Sequence, residues 1–571
     1  MLSTLKKINF LITKSQRKGL LILTLLLFIG MVLEVFGLGV LIPVLTVLLD
    51  PEMMETNTSL SLIRSFLQLS NQNFLFLILV FIVVVYFIKS LFLVLLTYKQ
   101  NKFISNTIAS ISNSLFFNYM NQPYKFHLNR NVSELIKNIQ VEIHYLYTFL
   151  LSLITVFVES GFVIAVLATL IYIEPIGAIS IGILYGFLSI IFFKLTKRKL
   201  KTWGKLRNDL DSQISNIALE GLGGIKDLLI LGKTAFFTEE YTNKNYFKAR
   251  LNANQVTVSQ ISRFYLELIS ITGLISFIIL LLLQGKDSKS LVSILGVFVA
   301  ATFRMIPSLN RIIAASQSLK YYKPSVDTIF KEIKKNSGKE ENYKNSKKYN
   351  FKNHIEFKNI TFGFTKNTRV LEGINLIINK GHTIGFIGES GSGKSTLVDM
   401  IIGLHEPISG KILIDGINNF QMSQSWRNNI GYVSQTIYLI DDSIVKNIAL
   451  GIPENEINYL KINEVLKHVQ LEKFINSLET GIKTKVGERG VQLSGGQRQR
   501  IGIARALYHE PQILILDEAT SALDSETEKD VMESIKNLKG DKTLIMIAHR
   551  ISTLVECDEI YKIQDKGILI N

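Results

Sequence analysis

Cysteine is almost absent from this 571-residue sequence, in which the single example is Cys557. One cysteine cannot form an intramolecular disulfide, so a disulfide-rich scaffold is excluded and a reducing compartment is indicated for that part of the chain. Proline is also scarce, with nine residues, and there is no proline-rich or poly-glycine tract. No internal repeat is evident, which argues against a repeat array.

Acidic residues are too few to balance the basic ones, and the imbalance lies in one part of the chain. Residues 1–350 contain 38 of the 63 basic residues and 20 of the 47 acidic residues, so their net charge is +18. The remaining residues, 351–571, have a net charge of −2. A basic bias beside apolar segments is typical of the cytoplasmic loops of membrane proteins. The positive charge therefore indicates a membrane protein and not a nucleic-acid-binding protein.

Long apolar stretches fill the basic part of the sequence. The overall composition is 47% hydrophobic with a mean hydropathy of +0.27. Each of six stretches is long enough to cross about 30 Å of hydrocarbon. They predict membrane-spanning helices at 20–49, 73–97, 144–172, 176–196, 261–284 and 290–313. The first is much longer than the roughly 7–15 apolar residues of a signal peptide, so we interpret it as an uncleaved span.

The basic connections predict the orientation of these spans. Lysine and arginine are concentrated before residue 20 and in the connections 98–143 and 194–260, whose amphipathic sequence predicts helices extending beyond the bilayer. The other connections are nearly neutral or acidic. Both termini are therefore predicted to be cytoplasmic. A polar linker at 334–350 follows a membrane domain at 1–333.

The pattern changes at Phe351 to short β-branched runs separated by helical segments. The runs HTIGFIG, KILIDG, NIGYVSQ, QILILDEA and KTLIMIAH predict strands, several of them apolar throughout as in a buried parallel sheet. Residues 351–571 are therefore predicted to form an α/β domain.

A phosphate-binding loop is predicted at GESGSGKST, which follows an apolar strand and precedes a helix. Its residues are Gly388, Glu389, Ser390, Gly391, Ser392, Gly393, Lys394, Ser395 and Thr396. Lys394 is placed to reach the β- and γ-phosphates of ATP, and Ser395 to offer a hydroxyl to Mg²⁺. A later strand, ILILDE, ends in Asp517 and Glu518. Asp517 is a candidate Mg²⁺ ligand, and Glu518 a candidate for orienting water or accepting its proton.

Between these motifs lies LSGGQ, which resembles the signature sequence of ATP-binding cassette (ABC) ATPases. The order of the surrounding motifs is also similar, with a Q-loop, a D-loop, a switch histidine and an adenine-stacking aromatic. The resemblance implies that Gln435 is the Q-loop residue, which also touches the metal, and that Asp524 belongs to the D-loop. It implies that His549 is the switch histidine and that Phe364 stacks on adenine. The signature residues that it implies contact ATP are Ser494, Gly495, Gly496 and Gln497.

Two helix N-termini of one domain cannot easily hold the same phosphate. In the ABC family, the signature of one cassette completes the phosphate-binding loop of another. One complete motif set therefore implies a half-transporter acting as a homodimer, with a heterodimer left open. Six spans fused ahead of one cassette look like an ABC exporter. Segments near 126–134 and 220–232 are candidate coupling helices.

Four cations lie within the predicted spans, on the cytoplasmic side of their midpoint: Lys89, Arg263, Arg304 and Arg311. Such charges usually face a cavity or a partner. Three interpretations remain open, namely snorkelling to headgroups, ion pairs with Glu34, Glu159 and Glu267, and a cationic ring for an anionic headgroup.

The sixth span and parts of the cassette look similar to bacterial lipid-linked oligosaccharide flippases. This resemblance implies a polyprenyl-diphosphate oligosaccharide as the substrate and a bacterial inner membrane as the location. A multidrug or lipid exporter of the same architecture is the alternative, and a non-transport ABC ATPase is a distant one.

Overall fold

The computed structural model describes the chain apart from residues 1, 50–70, 174, 284–287, 337–347, 366–367, 520–523, 537, 549–553 and 571. Two compact units are present. A helical unit comprises Met1–Gln122 and His127–Glu340, and an α/β unit comprises Pro123–Phe126 and Glu341–Asn571.

The first part of the chain is built from helices. In chain order they are α1 Leu2–Leu11, α2 Lys14–Leu49, α3 Asn71–Met120, α4 Tyr124–Leu128, α5 Val132–Lys137, α6 Ile143–Ile173, α7 Pro175–Gly223, α8 Ile225–Ile230, α9 Thr234–Leu283 and α10 Ser288–Asn336, with a π-helical turn at Asn138–Glu142 between α5 and α6. α4 begins in the short segment that groups with the α/β unit, and α8 lies in the second candidate coupling segment.

Within the described residues, five helical segments are long and apolar enough to cross a membrane. They are Lys14–Gly37, Phe76–Met120, Val132–Tyr172, Pro175–Gly223 and Thr234–Leu283. The sixth predicted span lies in α10, where the side chains of 288–297 are outside the described residues. Only helices satisfy every backbone hydrogen bond without a partner segment, which is why apolar runs in lipid fold this way.

Four of the helices are much longer than a bilayer is thick. α3 and α9 have 50 residues each, and α7 and α10 have 49. At about 1.5 Å per residue, each reaches roughly 75 Å, against about 30 Å of hydrocarbon. The predicted extensions beyond the membrane are confirmed as continuous helix. α10 continues to Asn336, so the first residues of the predicted linker are helical.

Apolar side chains cover both the inside and the outside of the helical unit. Phe162, Leu266 and Phe277 are buried in one cluster, whereas Phe87 and Phe303 are 71% and 74% exposed. Exposed aromatics of this size are costly in water. The outer surface is therefore suited to lipid.

The α/β unit contains two sheets. Its strands are β1 His354–Phe362, β2 Leu371–Asn379, β3 Thr383–Ile387, β4 Ser409–Ile414, β5 Ile417–Asn418, β6 Ile430–Val433, β7 Ile513–Asp517, β8 Thr543–Ile547, β9 Glu559–Gln564 and β10 Gly567–Ile570. Its helices are α11 Lys394–Ile402, α12 Asn419–Arg427, α13 Ile444–Ile448, α14 Tyr459–His468, α15 Glu472–Asn476, α16 Gly495–Tyr508 and α17 Ser525–Lys536.

The larger sheet has the strand order β10-β9-β3-β8-β7-β6 and is parallel except for the hairpin of β9 and β10. The smaller sheet, with the order β2-β1-β4-β5, is antiparallel and includes the predicted strand KILIDG as β4. The predicted fold class, a helical membrane domain followed by an α/β cassette, is confirmed.

The register of the parallel sheet brings the predicted motifs to one edge. β8 lies between β3 and β7, and its Ile547 is paired with Phe386 on one side and with Asp517 on the other. β6 pairs with the far side of β7, Val433 opposite Leu516. The loops that follow β3, β6 and β7 therefore begin at the same level, at the carboxyl edge where open α/β sheets bind ligands.

Candidate functional site

The loop between β3 and α11 has a backbone that requires glycine. Gly388, Gly391 and Gly393 have φ angles of +152°, +80° and +104°. A Cβ atom at Gly388 would lie 2.5 Å from the carbonyl oxygen of Ile563, and one at Gly393 would lie 3.0 Å from the side chain of Leu371. Larger residues are thus excluded by conformation and by space. A glycine-rich loop that leads directly into a helix N-terminus is suited to phosphate.

Lys394, the first residue of α11, is folded back over this loop. Its side-chain Nζ donates hydrogen bonds to the carbonyl oxygens of Gly388 at 2.7 Å and Glu389 at 2.9 Å. Burial lowers the pKa of Lys394, while the carboxylates of Glu518 and Asp517 act in the opposite direction. A buried ammonium whose hydrogen bonds within the described residues go to neutral carbonyls is well placed to take an anionic partner.

Asp517 ends β7 beside the same loop and is buried. The hydroxyl of Tyr432 donates to its Oδ2 atom at 3.2 Å, and the hydroxyl of Ser395 also forms a hydrogen bond with this carboxylate. Burial raises the pKa of Asp517, as does the charge of Glu518, while the two hydrogen bonds oppose that rise. A buried carboxylate whose charge is poorly compensated is stabilised by a cation.

The oxygen atoms around this loop fit Mg²⁺ and the phosphates of ATP. Ser395 and Asp517 together offer a hydroxyl and a carboxylate, the hard oxygen ligands that Mg²⁺ prefers. Ser392 has a buried hydroxyl that finds no hydrogen-bond partner within the described residues. An unsatisfied buried hydroxyl in a phosphate-binding loop is a natural donor to a phosphate oxygen.

Glu518 directly follows Asp517 and has an unusual backbone. Its φ angle is +50°, rare for a residue with a side chain, and its N–H donates to the carbonyl of Ile547 at 3.0 Å. The side-chain amide of Gln435 donates to Glu518 Oε2 at 2.7 Å. The structure therefore brings together two of the predicted ATP-site residues, Gln435 and Glu518.

The signature residues form the N-terminus of α16. Ser494 is the N-cap, and its hydroxyl accepts a hydrogen bond from the backbone N–H of Gln497 at 3.2 Å. In return, the side-chain Oε1 of Gln497 accepts from the N–H of Ser494 at 2.8 Å. This capping box fixes the start of the helix, and Gly495 and Gly496 form its first turn without side chains that would block an approaching anion.

The remaining predicted ATP-site residues are placed in the α/β unit as follows. Phe364 is 52% exposed and packs edge-on against the rings of Phe362 and His405, at 5.3 Å and 5.7 Å between centroids. Asp524 is exposed before α17, and its carbonyl accepts from the N–H of Glu528 at 2.8 Å. The predicted switch histidine, His549, lies outside the described residues.

Three further residues, which the motifs did not indicate, lie at this site. Tyr432 reaches Asp517 from the neighbouring strand β6, and Asp399 lies on α11, five residues after Lys394. Burial raises the pKa of Asp399 to about 6, with a further contribution from the charge of Asp517. His405 Nε2 lies 3.8 Å from Asp399 Oδ2. The five-residue spacing from Lys394 carries no signal for Asp399, because residues on one face of a helix are three or four apart, and the place of Tyr432 depends on strand order.

Comparison with known proteins agrees with this geometry. Residues 371–521 match the family described as ABC transporter, and residues 20–304 match the ABC transporter transmembrane region. An ATP-dependent lipid A-core flippase of Saccharophagus degradans is 31% identical over 480 residues, covering 81% of this chain and 78% of that protein.

The chain belongs to the ABC transporter family.

Other relatives differ in what their names describe. A heterocyst differentiation ATP-binding protein of Nostoc sp. is 35% identical over 63% of this chain, and the match spans 58% of that protein's length. A Bacillus subtilis protein named for multidrug export is 29% identical over 82% of this chain and 80% of its own. The structure of a bacterial Atm1-family ABC exporter with ATP bound superposes with a TM-score of 0.79 at 23% identity, covering 97% of this chain and 94% of that chain. This last likeness establishes the fold alone.

Taken together, the family and fold make this ABC transporter an exporter that binds ATP and couples its hydrolysis to transport. Its membrane region and its cassette are fused in one chain, and half-transporters of this kind function as dimers. The predictions of an ABC exporter fold and of an ATP-hydrolysing translocase are confirmed.

The cations in the spans of this ABC transporter all lie beside carboxylates. Glu34 on α2 accepts from two of them, since Lys89 Nζ lies 2.9 Å from its Oε2 atom and Arg304 pairs with the same oxygen. The guanidinium carbon of Arg304 also lies 5.4 Å from the ring centre of Phe162. The side chain of Lys89 is 8% exposed and that of Arg304 is 39% exposed. Three helices therefore meet at a group with two cations and one anion.

The other two cations form separate pairs. Arg311 Nε lies 2.6 Å from Glu159 Oε1 on α6. Arg263 Nε lies 2.9 Å from Glu267 Oε1, one turn along its own helix, and its side chain is 67% exposed. Each of the four cations therefore has a carboxylate partner, as the ion-pair interpretation expects. The interpretation of the four as a cationic ring stays a prediction. Sequence spacing showed the candidate carboxylates but could not assign the pairs.

Proposed function

We propose that this ABC transporter flips a polyprenyl-diphosphate oligosaccharide outward across the bacterial cytoplasmic membrane, driven by ATP. The observation that carries the proposal is the group of Glu34, Lys89 and Arg304, which has one more cation than anion. A net positive charge among membrane spans is costly unless a partner compensates it. A diphosphate headgroup supplies that partner.

Arg304 is the member of this group that is best suited to the headgroup. Its guanidinium is always charged and can bind two phosphate oxygens at once. It is also more accessible than Lys89, whose ammonium is buried against the same carboxylate. We propose that a diphosphate draws Arg304 away from Glu34, while Lys89 remains to neutralise that carboxylate. Arg311 is a further proposed contact. Arg263 is exposed and paired along its own helix. Its predicted contact with the substrate stays a prediction, and the present proposal does not require it.

The proposed ATP site combines residues from two copies of the chain. In one copy, Phe364 stacks on adenine, the loop from Gly388 to Thr396 binds the phosphates, and Mg²⁺ is held by Ser395, Asp517 and Gln435. From the other copy, Ser494 to Gln497 approach the γ-phosphate with Asp524 nearby. Glu518 orients the attacking water and accepts its proton, assisted by Gln435 and His549. Mg²⁺ supplies charge neutralisation on the phosphate oxygens.

This arrangement implies an orientation and a division of the chain. Residues 1–333 form the membrane domain, 334–350 the linker and 351–571 the cassette, with both termini in the cytoplasm.

A multidrug or lipid exporter is the second candidate, favoured by the name of the Bacillus subtilis relative and by the large apolar outer surface of the spans.

Replacing Arg304 by alanine tests the substrate assignment. We expect Arg304→Ala to lower ATP-dependent flipping of a diphosphate-linked glycan in proteoliposomes by about tenfold or more, because a charged hydrogen bond to phosphate contributes roughly 1.5–3 kcal/mol. Basal ATP hydrolysis should remain close to that of the unchanged protein, since the substitution is remote in sequence from every ATP-site motif.

Arg263→Ala is the matched control, since it removes the same side chain from an exposed pair. It should leave flipping within about twofold of the unchanged protein, as expected for an exposed ion pair. Normal flipping by a correctly folded Arg304→Ala variant would contradict the proposal.

A further inference from the structure

Four lysines from two helices face one another below the membrane spans. Lys197 and Lys201 are four residues apart on α7, and Lys320 and Lys323 are three apart on α10. Such spacings place side chains on one face of a helix. We call these four residues the lysine cluster.

The two helices are held in close contact beside the cluster. A Cβ atom at Gly204 on α7 would overlap the carbonyl group of Tyr321 and lie 3.2 Å from its Cα atom. Earlier in the same helices, Ala178 and Phe298 belong to one buried apolar group, so α7 and α10 run in the same direction. The crossing at Gly204 therefore fixes Lys201, three residues earlier, close to the level of Lys320.

The lysine cluster is not neutralised by ion pairs within the described residues. In the part of the chain that the structure describes, none of the four ammonium groups forms an ion pair. Asp327, one turn beyond Lys323, is paired with Lys7 of α1. Burial lowers the pKa of Lys320, and the charges of Lys197, Lys323 and Lys201 lower it further. This direction agrees with the packing at Gly204, which brings the two pairs of lysines to similar levels.

An unsatisfied amide lies next to the cluster. Gln317 is fully buried one turn before Tyr321, and neither its Nε2 nor its Oε1 atom finds a hydrogen-bond partner within the described residues. Buried amides are normally paired, so one without a partner indicates a missing water or ligand. Gln317 and Lys320 are three residues apart on α10 and so lie on one face of that helix, where an amide N–H is suited to an oxyanion.

The depth of the cluster indicates the source of that anion. The apolar part of α7 ends near Phe193 and that of α10 near Ile313. The four lysines follow within roughly ten residues of these positions, about 15 Å along each helix. These positions lie at or just beyond the headgroup layer, which extends roughly 5–7.5 Å past the hydrocarbon, and a lysine side chain there can reach back to a headgroup on the basic side of the membrane.

We propose that the lysine cluster binds the phosphate of an anionic lipid headgroup in the cytoplasmic leaflet. The lysines act as point charges that converge on one phosphate, and Gln317 donates a further hydrogen bond. This site is distinct from the group around Glu34, so the proposal does not depend on the identity of the transported substrate.

Energy transfer from tryptophan measures this binding in the full-length protein. Trp203 lies between Lys201 and Gly204, and the other tryptophan, Trp426, is buried in the cassette and supplies a constant background. The probe is an anionic phospholipid with a dansyl group on its headgroup, titrated into phosphatidylcholine nanodiscs. Lys197→Gln/Lys201→Gln should weaken its apparent affinity by about tenfold or more, because both lysines lose a charge-assisted hydrogen bond to the phosphate.

The control is Arg198→Gln/Lys199→Gln, which removes the same charge at the same depth from exposed positions of α7. It should change the affinity less than about threefold, since residues outside the cluster contribute only diffuse attraction. Lys320→Gln/Lys323→Gln repeats the test from the other helix if the first variant folds poorly. Equal losses in the cluster and control variants, or no loss in either cluster variant, would overturn the proposal.

Competition then identifies the source of the phosphate. Displacement of the probe by phosphatidylglycerol or by a polyprenyl diphosphate supports a lipid headgroup, and their relative potency separates bulk lipid from substrate. Displacement by inorganic diphosphate but by neither lipid would overturn the assignment to a lipid.

Discussion

Glu518→Gln is expected to abolish ATP turnover while ATP binding is retained. The change keeps the size of the side chain and removes the charge that can accept a proton from water. Loss of a general base typically costs roughly 10²–10⁴-fold in rate. Lys394, Ser395 and Asp517 are unchanged, so the phosphates and Mg²⁺ keep their proposed contacts. Steady-state phosphate release and equilibrium binding of labelled ATP measure the two properties separately.

Glu510→Gln is a suitable control for this variant. Glu510 precedes the opposite end of β7 and forms an ion pair with Lys461, with its own side chain 72% exposed. The same chemical change there should leave hydrolysis unaffected, because an exposed ion pair contributes little. Hydrolysis near the normal rate in Glu518→Gln would refute the proposed role of Glu518.

Mixing two inactive variants is expected to restore ATP hydrolysis. Lys394→Ala removes the cation from the phosphate-binding loop, and Gly495→Asp places a carboxylate at the helix end proposed to approach the γ-phosphate. Asp is favourable in the first turn of a helix, so α16 should still fold. Each variant alone should lose nearly all activity, because both sites of the proposed homodimer would be damaged. In a mixed dimer, one site combines an intact loop with an intact signature.

Co-expression with two different affinity tags isolates the mixed dimer for this measurement. About half of the normal activity is expected if the two sites act independently, and less if they are coupled. A mixed dimer as inactive as its parents would contradict the composite site, provided that a mixed dimer of two unchanged chains, purified in the same way, is active.

The chemistry of the ATP site was predictable because it depends on short motifs next to apolar strands. A glycine-rich loop after a buried strand can form only where the backbone adopts positive φ angles, as it does at Gly391 and Gly393. The positions of Asp517 and Glu518 at a strand end follow from the same pattern. Burial of consecutive apolar residues and the carboxyl-edge rule together supply this information.

Contacts that depend on strand order were not predictable. The hydrogen bond from Tyr432 to Asp517 exists because β6 pairs with β7, although their sequences are about 80 residues apart. The antiparallel sheet of β1, β2, β4 and β5 was missed for a similar reason, since a run such as KILIDG gives no information about its partners.

The pairing of charges in the spans could not be predicted from the sequence either. Glu34, Glu159 and Glu267 were visible as candidate partners, yet which cation each one takes depends on helix rotation and packing. Only Arg263 and Glu267, four residues apart on one helix, had a spacing that local geometry could have resolved. The shared carboxylate of Lys89 and Arg304 required the packing of three helices.

The most direct test of the proposed function is ATP-dependent flipping in proteoliposomes with two substrates compared side by side. One is a polyprenyl-diphosphate oligosaccharide, and the other is a neutral amphiphilic drug of similar apolar size. We predict that the protein flips the diphosphate-linked glycan in an ATP-dependent manner, that Glu518→Gln stops this flipping, and that the neutral drug is moved poorly. Efficient ATP-dependent movement of the neutral drug with no movement of the glycan would contradict the proposal and favour a multidrug exporter.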